Sequence, residues 1–229
     1  LAVLFVAAGL IGASQTSTKF GQSFGAIQAN SSPPVLDIPI SHFELTNGTL
    51  FDGLSRLSSE PIPLQLGFEE VLKQHDNDVR NPEPRFSIRL DHATVRAILD
   101  SLCSRDSRYT WSTDELVVNI YPRAVKDDPS YLLNRKISST EFQNLIDPYQ
   151  ALTPIARRFP TEQVGYRHLG GDVRYPIPWS VKFGNLTVRQ IINRVTVHLR
   201  PQGGWTFFGS KQNHWFTFHN GYFGPVASN

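Results

Sequence analysis

Methionine is missing from all 229 residues, position 1 included, and cysteine occurs once, as Cys103. A single cysteine forms no internal disulfide and supplies no spaced set of metal ligands. A first residue other than methionine fits a lost start, or a non-methionine start codon read literally. Excess charge of either sign is lacking too: 22 Lys and Arg balance 20 Asp and Glu, for a formal net charge of +2. The basic residues are scattered, which gives no footprint for a nucleic-acid groove. Neither a phosphate loop nor an H-E-x-x-H zinc helix occurs. Hydrophobic residues at 40% and charged residues at 18% call for a packed core, in one large or two small domains.

Long apolar runs are also scarce. Leu1–Ile11 reads LAVLFVAAGLI, well short of the ~20 residues that cross a bilayer. With Gly12, Ala13 and Ser14 behind it, the run has the pattern of the apolar core and cleavage zone of a secretory signal. The expectation is export, to the periplasm or beyond, with no spanning segment in the mature chain. Cys103 lies far from the position that lipid attachment would require. Residues 1–36 are read as a truncated signal peptide and a flexible leader ending in Ser31-Ser32-Pro33-Pro34.

What is present is an internal repeat. Phe86, Ile88 and Leu90 alternate with polar residues, as on a half-buried strand. Val95, Ile98, Leu99, Leu102 and Cys103 then recur at helical spacing. Tyr109–Trp111 and Leu116–Ile120 read as a hairpin. The same order returns in Trp179–Phe183, in Val188, Ile191, Ile192, Val195 and Leu199, and in the aromatic strands Trp205–Phe208 and Trp215–Phe218. Phe86 to Asp100 aligns with Trp179 to Asn193 without a gap at an offset of 93, and Thr94-Val95-Arg96 returns as Thr187-Val188-Arg189. Thr187 with Gln190 fits a capping box. Upstream, Val35–Leu45 reads as a strand, Leu50–Ser58 as a helix started by Thr49, Leu64–Phe68 as a strand, and Glu69–Gln74 as a helical turn. In the second copy, Tyr149–Phe159 reads as a helix with Pro154 in its first turn, and Gln163–Leu169 as a strand. The expected fold class is α+β, in two small tandem domains. Each would pack two helices on short mixed sheets, in a β-α-β-β-α-β-like order. The domains span 37–122 and 137–229, with a connector at 123–136.

The strand Phe86–Leu90, the helix Thr94–Leu99, the aromatic strand start Tyr109-Thr110-Trp111 and the strand Val117–Ile120 resemble the secretin/TonB short N-terminal domain. Residues 37–122 match that pattern, and 137–219 match it in a more divergent form. The resemblance implies a Gram-negative envelope protein whose domains dock or signal. Its partner would be a secretion-system or TonB-dependent receptor component.

Chemistry-bearing residues divide as follows. Cys103 sits on an apolar helical stripe and reads as packing. Seven histidines show no ligand spacing, so neither a metal nor a cofactor is expected. Glu69-Glu70 and Asp76/Asp78 read as solvated carboxylates. Asn47-Gly48-Thr49 and Asn185-Leu186-Thr187 read as turn and cap residues. Arg96 and Arg189 occupy equivalent positions off the apolar stripe and are candidates for docking an acidic partner. The consecutive aromatics place rings on both faces of a strand, so Trp205, Phe207, Trp215 and Phe216 are candidates for an exposed binding patch. The leading expectation is an exported, non-enzymatic protein-interaction module. The alternative is a carbohydrate- or peptidoglycan-binding accessory using the aromatic face.

Overall fold

Asparagines, threonines and glycines set the element boundaries, and they do so twice. The computed structural model describes residues 34–79, 82–114, 116–168, 173–199 and 202–220. A short 3₁₀ turn at Pro34–Asp37 leads into β1 (Pro39–Gly48), α1 (Leu50–Ser58), β2 (Gln65–Glu69), β3 (Phe86–Thr94), α2 (Val95–Arg105), β4 (Tyr109–Asp114) and β5 (Val117–Pro122). The second repeat runs β6 (Lys136–Leu145), α3 (Leu152–Arg158), β7 (Gln163–Tyr166), β8 (Trp179–Thr187), α4 (Val188–Thr196), β9 (Gly204–Gly209) and β10 (Asn213–His219). The class is α+β, as the patterning implied.

The helices start where the side chains can cap them. Thr49 accepts from the Asp52 N–H while Asp52 accepts from the Thr49 N–H, and Thr187 makes the same exchange with Gln190. Thr94 caps α2 through the Ala97 N–H. Pro154 falls in the first turn of α3, where its missing N–H has no helical partner to lose.

Each repeat folds its first and third strands into an antiparallel pair, β1 with β3 and β6 with β8. Both pairs carry a register shift near the end, between Leu45 and Gly48 and between Phe142 and Leu145. Asn47 and Asn144 sit at the shifts with φ of 49° and 51°, a left-handed conformation that asparagine tolerates. Their backbone N–H groups donate to equivalent serines, Ser87 at 3.0 Å and Ser180 at 2.9 Å. His92 and Asn185 supply a second matched pair of left-handed residues, at 52° and 53°. The duplication therefore extends to single backbone angles.

The remaining strands form one six-stranded sheet in the order β4-β5-β2-β9-β10-β7. The first repeat contributes β4-β5-β2 and the second β9-β10-β7. β2 runs parallel to both β5 and β9, and β7 runs parallel to β10. Because β9 is the counterpart of β4, and β7 of β2, the seam joins unlike strands. The repeats are stacked head to tail.

Two cores lie on opposite faces of this sheet: Leu66 and Phe68 point into the first, while Gly67 and Glu69 share the face of Trp205 and Phe207 in the second. Phe43, Leu54, Leu57, Leu66, Ile98, Leu99 and Leu102 anchor the first, and Leu133, Ile155, Ile191, Ile192, Trp205, Phe207 and Phe216 the second. Each large side chain buried this way contributes about 1.5–3 kcal/mol, which is what holds helices of two or three turns in place.

One expectation needs correction and others gain detail. The connector 123–136, expected to be tacked down by Tyr131, Leu132 and Leu133, packs on the second repeat. It forms 3₁₀ turns at Arg123–Val125 and Leu132–Asn134, and it sends Tyr131, Leu132 and Leu133 into the second core. Glu69–Gln74 forms no helical turn: Glu69 ends β2, and Lys73 bridges to Ser210. The leader and the tail beyond Asn220 lie almost wholly outside the described residues, as do Gly170, Gly171 and Tyr222.

Candidate functional site

Buried polar contacts cross the seam between β2 and β9. Gly67 lies opposite Trp205 across the strand pair. A Cβ on Gly67 would stand 2.5 Å from the indole, so only glycine lets the ring lie flat against this backbone. The Trp205 Nε1–H donates to Asn193 Oδ1 on α4 at 3.0 Å. Gln65 donates its side-chain amide to the Thr196 carbonyl at 3.3 Å.

Two residues beyond Gly67, the Glu69 carboxylate meets Arg189 on α4. The guanidinium donates from Nε at 2.5 Å and from Nη2 at 3.0 Å. Glu69 is fully enclosed, and its partner side chain is 14% exposed. Arg189 also donates to Asn134 Oδ1 at 2.6 Å and stacks on Tyr121 with 5.0 Å from Cζ to the ring centre. Burial pushes the Glu69 carboxyl above its usual range, against the pull of the guanidinium. Burial also works against the Arg189 charge, but the carboxylate more than offsets it and holds the guanidinium above its ordinary value. Glu69 was read from the sequence as a solvated carboxylate. The signal that could have corrected it was the Gly67-x-Glu69 pattern at the end of an otherwise apolar strand.

The first repeat presents the same receiving set at β4. The Trp111 Nε1–H donates to Asp100 Oδ1 at 2.8 Å, the counterpart of Trp205 to Asn193. Arg96 donates to Asp37 Oδ1 at 3.4 Å, the counterpart of Arg189 to Asn134. Its Cζ lies 6.0 Å from the Trp111 ring centre. A shallow groove lined by Asp100, Cys103, Ser104, Thr110, Trp111 and Arg123 runs between α2 and β4. β4 is the outer strand of the sheet, and no described strand pairs with its far side.

The two predicted arginines therefore have different fates. Arg189 is spent inside the molecule on an acid from the other repeat. Arg96 stays at the surface with its side chain 37% exposed. The predicted aromatic patch does not form. Trp205, Phe207 and Phe216 are fully buried, and Trp215 alone of the four stays partly open, with the Arg167 guanidinium 5.1 Å from its ring centre. The rings fill the second core because α3, α4 and Tyr131 of the connector pack over the face they occupy. The sequence pattern alone did not reveal that cover.

Other chemistry-bearing residues are structural. Burial pushes the Cys103 thiol up to about 12, which keeps it protonated and unreactive. His214 sits against Glu162 at 2.8 Å, with Arg135 on the other carboxylate oxygen at 2.7 Å. His219 shares a 2.9 Å hydrogen bond with Thr206, and burial lowers its pKa to about 4. Among the described residues no group of three His, Cys, Asp or Glu side chains could hold a metal ion. No described helix is long and apolar enough to cross a membrane. One expectation is corrected by the sequence itself: no G-x-S-x-G was expected, yet Gly21-Gln22-Ser23-Phe24-Gly25 has that spacing, and it lies outside the described residues.

No family model, curated protein or solved structure matches the chain.

Proposed function

We propose that this chain is an exported, non-enzymatic docking module of the bacterial cell envelope, and that it captures a partner protein at the open edge of its six-stranded sheet. One observation carries the reading. The Trp111–Asp100 and Arg96–Asp37 pairs at β4 reproduce the Trp205–Asn193 and Arg189–Asn134 pairs at β9, where a strand is docked. A sheet edge offers unpaired N–H and C=O groups that an incoming strand satisfies, and flanking side chains then select it.

The envelope assignment draws on the apolar N-terminal run and on the resemblance to secretin/TonB short N-terminal domains. Both repeats carry the strand–helix–strand order on which that resemblance rests. A secretion-system or receptor component is the partner it favours. The carbohydrate-binding alternative loses its platform, since three of its four rings lie in the core.

The test is capture of cross-linked partners from envelope extract, using the full chain and a variant blocked at the edge by Thr113→Pro. Proline at an outward-facing strand position removes a donor and disfavours pairing. The expected result is an envelope protein retained by the full chain and released by the variant, whose circular dichroism is unchanged. Retention of glycan strands in place of protein, indifferent to the β4 block, would overturn the reading.

A further inference from the structure

The seam is a worked example of what the outer edge would accept. The Leu66 N–H donates to the Gly203 carbonyl and the Glu70 N–H to the Phe207 carbonyl. In a parallel pair this alternation turns the odd-numbered backbone groups of β9 toward β2. Trp205 corresponds to Trp111, so Tyr109, Trp111 and Thr113 turn outward on β4. The inward parity agrees: the Arg123 N–H, beyond β5, donates to the Arg108 carbonyl. Arg123 Nη2 meanwhile covers the outward Tyr109 carbonyl at 2.9 Å, which leaves Trp111 and Thr113 as the open rungs.

The side chains at the seam then specify a pattern. Trp205 requires glycine opposite it, and Arg189 requires an acid two residues further on. Trp111 is held by its helix as Trp205 is, and Arg96 is tethered at position 37 as Arg189 is at 134. Building on the docking reading above, we infer that the β4 edge binds an extended segment of a partner protein running parallel to β4. That segment has glycine against Trp111 and Asp or Glu two residues later on Arg96.

A second copy of this chain does not meet the requirement. Its open counterpart of β2 is β7, where Gly165 stands at the Gly67 position but Arg167, already against the Phe208 and Trp215 rings, stands where Glu69 would supply the acid, so Arg96 would meet a like charge. Residues 1–33 contain no acidic residue and so supply no partner for Arg96.

The test uses the full chain and a fluorescently labelled peptide with the sequence of residues 63–71, PLQLGFEEV, followed by anisotropy and by amide hydrogen exchange. The expected result is saturable binding that slows exchange at the Trp111 and Thr113 amides. A peptide with valine for glycine should lose binding. Arg96→Glu should weaken the parent peptide by roughly tenfold or more, as loss of a paired charge does. A peptide with lysine for its first glutamate should recover binding to that variant. Absence of binding, equal binding of the valine peptide, or protection confined to β9 (exchange into the seam) would overturn the inference. So would concentration-dependent self-association that the peptide competes away. The peptide substitutions leave the protein untouched, so misfolding cannot account for their effect. If the peptide fails while partner capture still depends on the β4 edge, the docking reading stands and only the glycine–acid pattern falls.

Discussion

Replacing Arg189 by methionine removes one half of an enclosed ion pair and leaves Glu69 at 0% exposure without its cation. Breaking such a pair from one side costs about 3–5 kcal/mol, because the remaining charge is neither solvated nor paired. The carboxyl has one escape, which is to take up a proton. Holding a carboxyl of ordinary pKa near 4.3 neutral at pH 7 costs about 1.36 kcal/mol for each of ~2.7 units, or ~3.7 kcal/mol. That figure caps the electrostatic part of the loss. At pH 5 the same sum gives about 1 kcal/mol. Burial already raises the parent carboxyl, and losing the guanidinium raises it further, so the deficit relative to the parent is small near pH 4–5 and grows once pH passes the parent's folded value. Urea unfolding of both proteins at pH 5 and pH 7 measures the difference directly. The double variant Glu69→Gln, Arg189→Met should recover most of the loss at pH 7, since no charge is left stranded. A loss under ~1 kcal/mol at pH 7, or one that does not shrink toward pH 5, would mean that Glu69 is not enclosed by the second repeat.

Gly67→Ala should cost about 1–3 kcal/mol by thermal or urea unfolding, because its Cβ would meet a pinned indole 2.5 Å away. His219, held neutral down to about pH 4, makes the fold sensitive to acid. The unfolded ring protonates near 6.5, so stability is full above that pH and falls by ~3 kcal/mol as pH drops through about 4. Burial lowers His214 and His198 in the same sense, and His219→Gln should flatten the slope. Thr49→Ala and Thr187→Ala should each cost about 0.5–2 kcal/mol in urea titrations through loss of a helix cap. Cys103 should resist a thiol reagent at pH 8 in the folded protein and react at once in denaturant, given its 5% exposure and protonated thiol.

Much of the architecture was legible from residue spacing. Leu50–Ser58 needed only its apolar stripe and Thr49, and the observed helix has those bounds. The Thr-Val-Arg triplets marked two helix starts, because a capping hydroxyl works through local geometry. The asparagines at 47 and 185 marked turns for the same kind of reason. What spacing did not reveal depends on contacts far apart in sequence. Burial of Glu69 requires an arginine 120 positions later, and burial of Trp205 requires a glycine more than a hundred positions earlier. Read in isolation, an acid at a strand end looks solvated and a run of rings looks sticky. Periodicity reports which face of an element is apolar, not which neighbour covers it. Arg96 and Arg189 show the limit most clearly. Their equivalence was evident, but that one was already used and the other was not could be seen only after the repeats were stacked.

The unlike pairing at the seam also fixes valency. Had the repeats met through the same strand, both receiving edges would have been consumed, or both left outside. Head-to-tail stacking consumes one and leaves one, and a further repeat added to either end would leave the count unchanged. On the proposed docking reading, a chain built from two copies of the unit would offer its partner a single berth at β4. Its strength of attachment would then rest on the fit at that edge, with no avidity from the duplication.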